Sequence, residues 1–285
     1  MIRGSQAVGR SNPKDWPAIG SGTEIEPGIV LHQVVLPKGR SGSKVWIYLP
    51  KNRGGAKLPC ILIGPAGSRL FHGMDLVDGD NPEHLPYVRA GFAVVAYAVD
   101  GPLGSNPTHE QVVVAAREFK NAEAGVLNAK DALDYALAKV PAIDPNRIYA
   151  AGHSSAGTLA LLVAENEPRI RACIAYAPAC DVSARLGDRI ISSLGASLPG
   201  YRRFITASSP NSNPDRLKCP LFLFHADDDS NVPTDQVAAF AALVRETNNN
   251  VTFFTVPSGD HYDSMIQQGI PEGIKWLRSL ESPAK

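Results

Sequence analysis

The stretch Arg147-Ile-Tyr-Ala-Ala-Gly-His-Ser-Ser-Ala-Gly157 decides how this chain is read. Its apolar first half reads as a short buried strand, and the residues beyond it, Thr158-Leu-Ala-Leu-Leu-Val-Ala164, have the small, apolar character of a helix packed against a sheet. A serine stands at the junction. Gly152 and Ala156, two residues before and two after Ser154, let the backbone turn sharply from strand to helix and hold Oγ clear of the sheet. The helix N-terminus beneath it supplies backbone N–H groups and a positive dipole end, which favour an anionic intermediate.

Glycine and serine are common, so this string carries weight only with partners. An acyl-transfer serine needs a base to take its proton and a carboxylate to orient that base. Downstream, Leu221-Phe-Leu-Phe224 reads as a fully buried strand running into His225-Ala-Asp-Asp-Asp-Ser-Asn-Val-Pro233, with a helix after it marked by Val237, Phe240, Ala241 and Val244. Any of Asp227, Asp228 and Asp229 is then a carboxylate at a strand end; each also suits a polar turn or a helix cap. The alternating run Val251-Thr-Phe-Phe-Thr-Val256 ends in Pro257-Ser-Gly-Asp-His-Tyr-Asp263. Of seven histidines, His261 alone occupies the third position of the order serine, acid, histidine.

Other short apolar runs, at Cys60–Ile63, Phe92–Tyr97 and Ile174–Tyr176, are separated by helical segments. One crossover helix is marked by Val126, Ala129, Leu133, Ala136 and Val140 and stops before Pro141. This alternation predicts an α/β fold with a mostly parallel central sheet and right-handed crossovers. Val30–Leu36 and Lys44–Leu49 alternate as an antiparallel edge hairpin. Residues 1–28, rich in glycine, proline and charge, are expected to wrap the surface, leaving 29–285 as the catalytic domain.

The chain resembles the α/β-hydrolases, and within them the catalytic domain of the prolyl-oligopeptidase and acylaminoacyl-peptidase group with its stand-alone esterase relatives. The likeness covers roughly residues 30 to 280. It rests on Gly152-His153-Ser154, on His225-x-x-x-Asp229-x-x-Val232-Pro233, on Asp260-His261 before the final helix, and on Ser209-Pro210 ahead of Lys218-Cys219-Pro220. The resemblance implies Ser154 as nucleophile, His261 as general base and then acid, and Asp229 as the residue that holds the imidazole tautomer. It prefers Asp229 to Asp227 and Asp228, whose carboxylates are expected to face water. Ser155 is a rival nucleophile because Gly157 stands two residues after it, but His153 two before it would crowd the turn.

Two N–H donors are expected for the oxyanion, one of them from Ser155. The other is expected from the loop Gly64-Pro-Ala-Gly-Ser68, where the family usually has His-Gly. Pro65 has no N–H, so Ala66 is the expected donor, with Gly67 behind it. The segment 180–213 is longer than a plain crossover and is read as a small cap over an acyl pocket, with Phe71, Met74, Leu103 and Tyr201 as candidate walls. Arg202 and Arg203 suit either a substrate carboxylate or solvent.

Composition agrees with this reading. The 285 residues carry 28 basic and 28 acidic side chains, a balance that argues against a nucleic-acid or polyanion binder. No stretch of about 18 apolar residues occurs, and the first ten residues lack the apolar core of a secretory signal, so a cytoplasmic address and no membrane partner are expected. Cys60, Cys173, Cys180 and Cys219 lack metal-ligand spacing, and three of them, in or beside predicted strands, read as buried thiols. No metal and no cofactor are expected. The expected partner is a small-molecule ester, cleaved through an acyl-enzyme, with oligomeric state left open. Esters are preferred to peptides because no propeller domain restricts access in this chain. A serine aminopeptidase or amidase is the alternative within the class, and a non-catalytic binding module the alternative outside it.

Overall fold

A computed structural model of the protein describes residues 16–37, 44–52 and 54–281. Nine strands form one sheet: β1 (Thr23–Glu26), β2 (Ile29–Val35), β3 (Lys44–Pro50), β4 (Leu58–Ile63), β5 (Ala93–Tyr97), β6 (Ile143–His153), β7 (Ile170–Tyr176), β8 (Leu221–Ala226) and β9 (Val251–Val256). Their order is β1-β2-β3-β5-β4-β6-β7-β8-β9. The pairs β1–β2, β2–β3 and β3–β5 are antiparallel, and every pairing from β5–β4 to β8–β9 is parallel. The mostly parallel α/β sheet expected from the sequence is present.

The period of two along each strand divides the core. Cys60, Leu62, Ile148 and Ala150 point to one face, where α3 (Val126–Lys139), α4 (Ser155–Asn166) and α7 (Thr234–Arg245) contribute Leu133, Leu161 and Phe240. Ile61, Ile63, Tyr149 and Ala151 point to the other, against Tyr87 of α1 (Asn81–Arg89) and Leu277 of α8 (Ile270–Glu281). The central strands are therefore continuous apolar runs, because both faces are covered.

A third apolar cluster lies outside the sheet layers. There α5 (Val182–Ser197) and α6 (Tyr201–Ala207) contribute Leu186, Ile191, Leu194, Tyr201 and Ile205. These pack with Leu70 and Phe71, and with Val113 and Ala116 of α2 (His109–Asn121). Residues 180–213 thus hold α5, α6 and a short 3-10 turn over Pro210–Ser212. The side chain of Ser209 secures their base: Oγ accepts from the backbone N–H of Val182 at 3.0 Å and donates to Ile205 O at 3.1 Å.

Three elements depart from the sequence reading. Residues 1–15 of the expected surface segment lie outside the described residues, and of the remainder Thr23–Glu26 adds a strand at the sheet edge. Helix α1 escaped the periodicity reading because Pro86 lies inside it. Helix α2 escaped too, although its start is written locally: Thr108 accepts from Gln111 N at 3.2 Å while Gln111 Oε1 accepts from Thr108 N at 2.8 Å, a reciprocal capping box.

Candidate active site

Ser154 joins β6 to α4 with φ 54° and ψ −121°, a conformation that costs a non-glycine residue energy and persists only where its surroundings impose it. Its N–H donates to Tyr176 O at 2.8 Å, which ties the turn to the end of β7. The first turn of α4 approaches so closely that a Cβ on Gly152 would stand 2.2 Å from Ala156 O, and one on Gly157 would stand 3.1 Å from both Gly152 O and Tyr176 O. Hence glycine at both positions, while Ala156 between them is buried without conflict. Ser155, the rival in the sequence, is turned inward: its Oγ accepts from Ser68 N at 3.0 Å. As the first residue of α4, Ser155 presents one of the N–H groups that lack an intrahelical acceptor.

Asp229 and His261 meet from two loops. Asp229 Oδ2 lies 2.8 Å from His261 Nδ1, and its Oδ1 accepts from the backbone N–H of Asn231 and of Val232, each at 2.8 Å. The Asp229 side chain is fully buried, and 3.1 Å from its Oδ2 lies Nε2 of His225, itself hydrogen-bonded to Val232 O at 2.8 Å. Burial alone would raise the Asp229 carboxyl pKa, but these donors outweigh it and hold it well below the usual carboxylate range. With a carboxylate on Nδ1, His261 carries a proton there and leaves Nε2 as the basic nitrogen. Nε2 is buried and makes no hydrogen bond within the chain.

The other two acids of the run diverge. Asp227 is exposed. Asp228, also exposed, does not simply face water as expected: its carboxylate accepts from Gly259 N at 3.2 Å and Asp260 N at 2.8 Å. Asp260 answers by accepting from Ser230 N at 2.8 Å and Ser230 Oγ at 3.1 Å. This reciprocal clasp joins the loop carrying Asp229 to the loop carrying His261, and its hydrogen bonds, the Ser230 N–H first, lower the Asp260 carboxyl pKa. A single sequence read for three carboxylates does not reveal such a pairing, because the partners are thirty residues apart and meet only through the parallel pairing of β8 and β9.

The loop after β4 lies beside the serine turn. Ala66 is half-buried, and Gly67 is exposed with φ 100°, a left-handed backbone that suits glycine. The loop is braced internally. Arg69 N donates to His72 Nε2 at 3.3 Å, His72 Nδ1 donates to Gly73 O at 2.7 Å, and Ser68 Oγ bonds to His72 O. Burial holds the His72 pKa below its ordinary value, in keeping with a neutral ring that accepts at Nε2 and donates at Nδ1.

The four candidate pocket residues do not share one cavity. Met74 lines a narrow cavity of about 20 Å³ with Ser68, Ser155, Leu159 and Val182. Leu103 lines a separate depression of about 360 Å³ with Pro102, Pro107 and Val114. Phe71 and Tyr201 lie inside the third apolar cluster, Tyr201 only 1% exposed and its hydroxyl without a partner. Arg202 is exposed and paired with Asp188 at 2.8 Å. Among the described residues there is no cluster of metal-ligating side chains, and no helix is long and apolar enough to cross a membrane.

The architecture recurs among solved structures. An acylaminoacyl peptidase in complex with Z-Gly-Gly-Phe-chloromethyl ketone superposes with a TM-score of 0.61 at 18% identity, covering 84% of this chain and 38% of that one. A puromycin-hydrolyzing peptidase of Mycobacterium tuberculosis gives 0.65 at 19%, covering 86% and 39%. Acetyl xylan esterase 1 from Thermoanaerobacterium sp. gives 0.63 at 16%, covering 92% and 87%. The chain thus spans well under half the length of the two peptidases. A search of curated protein sequences finds no match. The model of the prolyl oligopeptidase family matches residues 86–280, a span that contains the serine turn, both loops and the helical pair between them. The chain belongs to the prolyl oligopeptidase family.

Proposed function

We propose that the protein hydrolyses carboxylic esters of small or medium acyl groups, with Ser154 as nucleophile, His261 as general base and then acid, and Asp229 as its orienting carboxylate. The observation that carries this reading is the 2.8 Å contact of His261 Nδ1 with the buried Asp229, on a loop clasped beside the strained turn of Ser154. Ser154 Oγ attacks the carbonyl carbon and His261 Nε2 takes its proton. The N–H groups of Ser155 and Ala66, with Gly67 behind, receive the oxyanion. The proton passes from Nε2 to the departing alkoxide, and a water deprotonated by the same nitrogen releases the acid.

An ester substrate is supported by the similarity to acetyl xylan esterase 1, in which 92% of this chain superposes on 87% of that enzyme. Aminopeptidase activity is the second reading, favoured by the family to which the chain belongs. Hydrolysis of p-nitrophenyl acetate and of alanine p-nitroanilide by the native chain and by Ser154→Ala separates them. Ester turnover that falls about 10⁴-fold or more in the variant, with little anilide cleavage, is expected. Preferential anilide cleavage transfers the assignment to a peptidase, and equal ester rates in both proteins remove Ser154 from the mechanism.

A further inference from the structure

His153, the residue before Ser154, closes β6 on the face covered by α1 and α8 and is only 4% exposed. Its Nε2 lies 2.9 Å from the backbone carbonyl oxygen of His261, and since a carbonyl can only accept, Nε2 carries the proton of that bond. The His153 ring rests against the His261 ring, with centroids 4.6 Å apart and planes tilted by 46°, and meets Tyr262 edge-on at 5.8 Å. On its other side Nδ1 makes no hydrogen bond and lies 3.6 Å from Oε1 of the buried Glu83 of α1.

We propose that His153 is a positioning residue that fixes the separation between Ser154 and His261. The inference rests on the roles proposed above for those two residues. Asp229 holds His261 through the ring, and the clasp of Asp228 and Asp260 ties its loop to the loop of Asp229. His153 adds a direct link to the strand that carries Ser154. It is covalently next to Ser154 and hydrogen-bonded to the main chain of His261, so one side chain joins the strand-borne serine to the loop-borne imidazole. Buried placement makes the link stiff, because a lost partner there leaves the His261 carbonyl unsatisfied. A nucleophile and base displaced by about 1 Å can lose about 10²-fold in rate with substrate binding intact.

His153→Leu removes the donor, and His153→Gln keeps an amide donor at the distance of Nε2. Three quantities are measured for each and for the native chain: ester kcat and KM, the rate of covalent labelling of Ser154 by a fluorophosphonate, and the His261 Nδ1 proton resonance in histidine-labelled protein. His153→Leu is expected to lower kcat and labelling about 10- to 100-fold at nearly constant KM and to broaden the resonance. His153→Gln should restore all three to within about 3-fold of native. If the leucine variant does not fold, His153→Phe, which keeps the ring contact without the donor, takes its place with the same expectation. Native-like kcat and resonance in the donor-less variant overturn the proposal, as does a glutamine variant no better than it. Failure of the native chain to label counts against Ser154 as nucleophile, and the His261 resonance then still decides the role of His153.

Discussion

At the turn of Ser154 backbone meets backbone: a methyl group on Gly152 would fall 2.2 Å from a carbonyl oxygen, and every loop that approaches is pinned by hydrogen bonds. The helical pair over 182–207 is held differently. Helix α5 is broken at Gly187, where φ is 71° and ψ 160°, and the pair adheres through apolar side chains of the third cluster. Hydrogen-bonded backbone has one geometry, whereas an apolar contact tolerates sliding and repacking. We therefore expect the chemistry to be invariant around the turn and the choice of acyl or alcohol group to be set by the helical pair.

The largest test of that contrast is Asp229→Asn. An amide accepts poorly from the His261 ring and favours the wrong tautomer, so kcat should fall about 10⁴-fold with KM little changed. A loss under about tenfold in stopped-flow ester hydrolysis would show that the chemistry is not anchored by this loop. A smaller effect is expected at the tether between the two regions. Arg185 of α5 donates to Asn231 O at 2.7 Å and to its side chain, linking the helical pair to the loop that carries Asp229. Arg185→Ala should change KM across a series of acyl lengths by about 2- to 5-fold while kcat for acetate holds, as expected for one exposed charged contact. A collapse of kcat for every ester would merge the two regions into one functional unit.

A further effect lies outside both regions, at Glu165 of α4 beside the turn Pro214–Arg216. Both carboxyl oxygens are buried without hydrogen bonds, and burial pushes the group up to about 9; Arg216 lowers it only in part. The folded chain then keeps a proton that the unfolded chain releases near 4.5, so this group makes stability fall as pH rises from its unfolded to its folded value. Glu165→Gln should remove that slope. Its melting temperature should exceed the native one by about 10 °C near pH 8 and match it near pH 4, each kcal/mol moving Tm by about 2–4 °C. Parallel native and variant curves across that range would refute the buried proton.

Much of the fold was legible because its signals are local. The apolar runs at Ile61, Val95, Ile148 and Leu223 could be read singly, and their alternation with helices implied parallel pairing. Helix α1 was not legible because the interior Pro86 opposes helix propensity, and packing of Leu85, Tyr87 and Val88 against the sheet overrides that opposition. Of the candidate site, the serine and the histidine were read from their places between elements, and the acid from a family pattern. His153 drew notice only as bulk two residues before Ser155 and as part of the Gly152-His153-Ser154 motif, since nothing in its neighbours indicates Glu83 or the carbonyl of His261.

The sequence by itself determined the alternation of strands and helices, the requirement for small residues around Ser154 and the order of serine, acid and histidine, because each is a matter of spacing along one chain. Tertiary structure alone decided which oxygen faces which nitrogen. Asp228 binds the loop of Asp260, Ser155 turns to Ser68, His153 grips His261, and the four expected pocket residues separate among two cavities and an apolar cluster. These outcomes depend on the parallel register of distant strands and on competition among neighbouring groups for the same buried partners. Both arise only once the sheet is assembled.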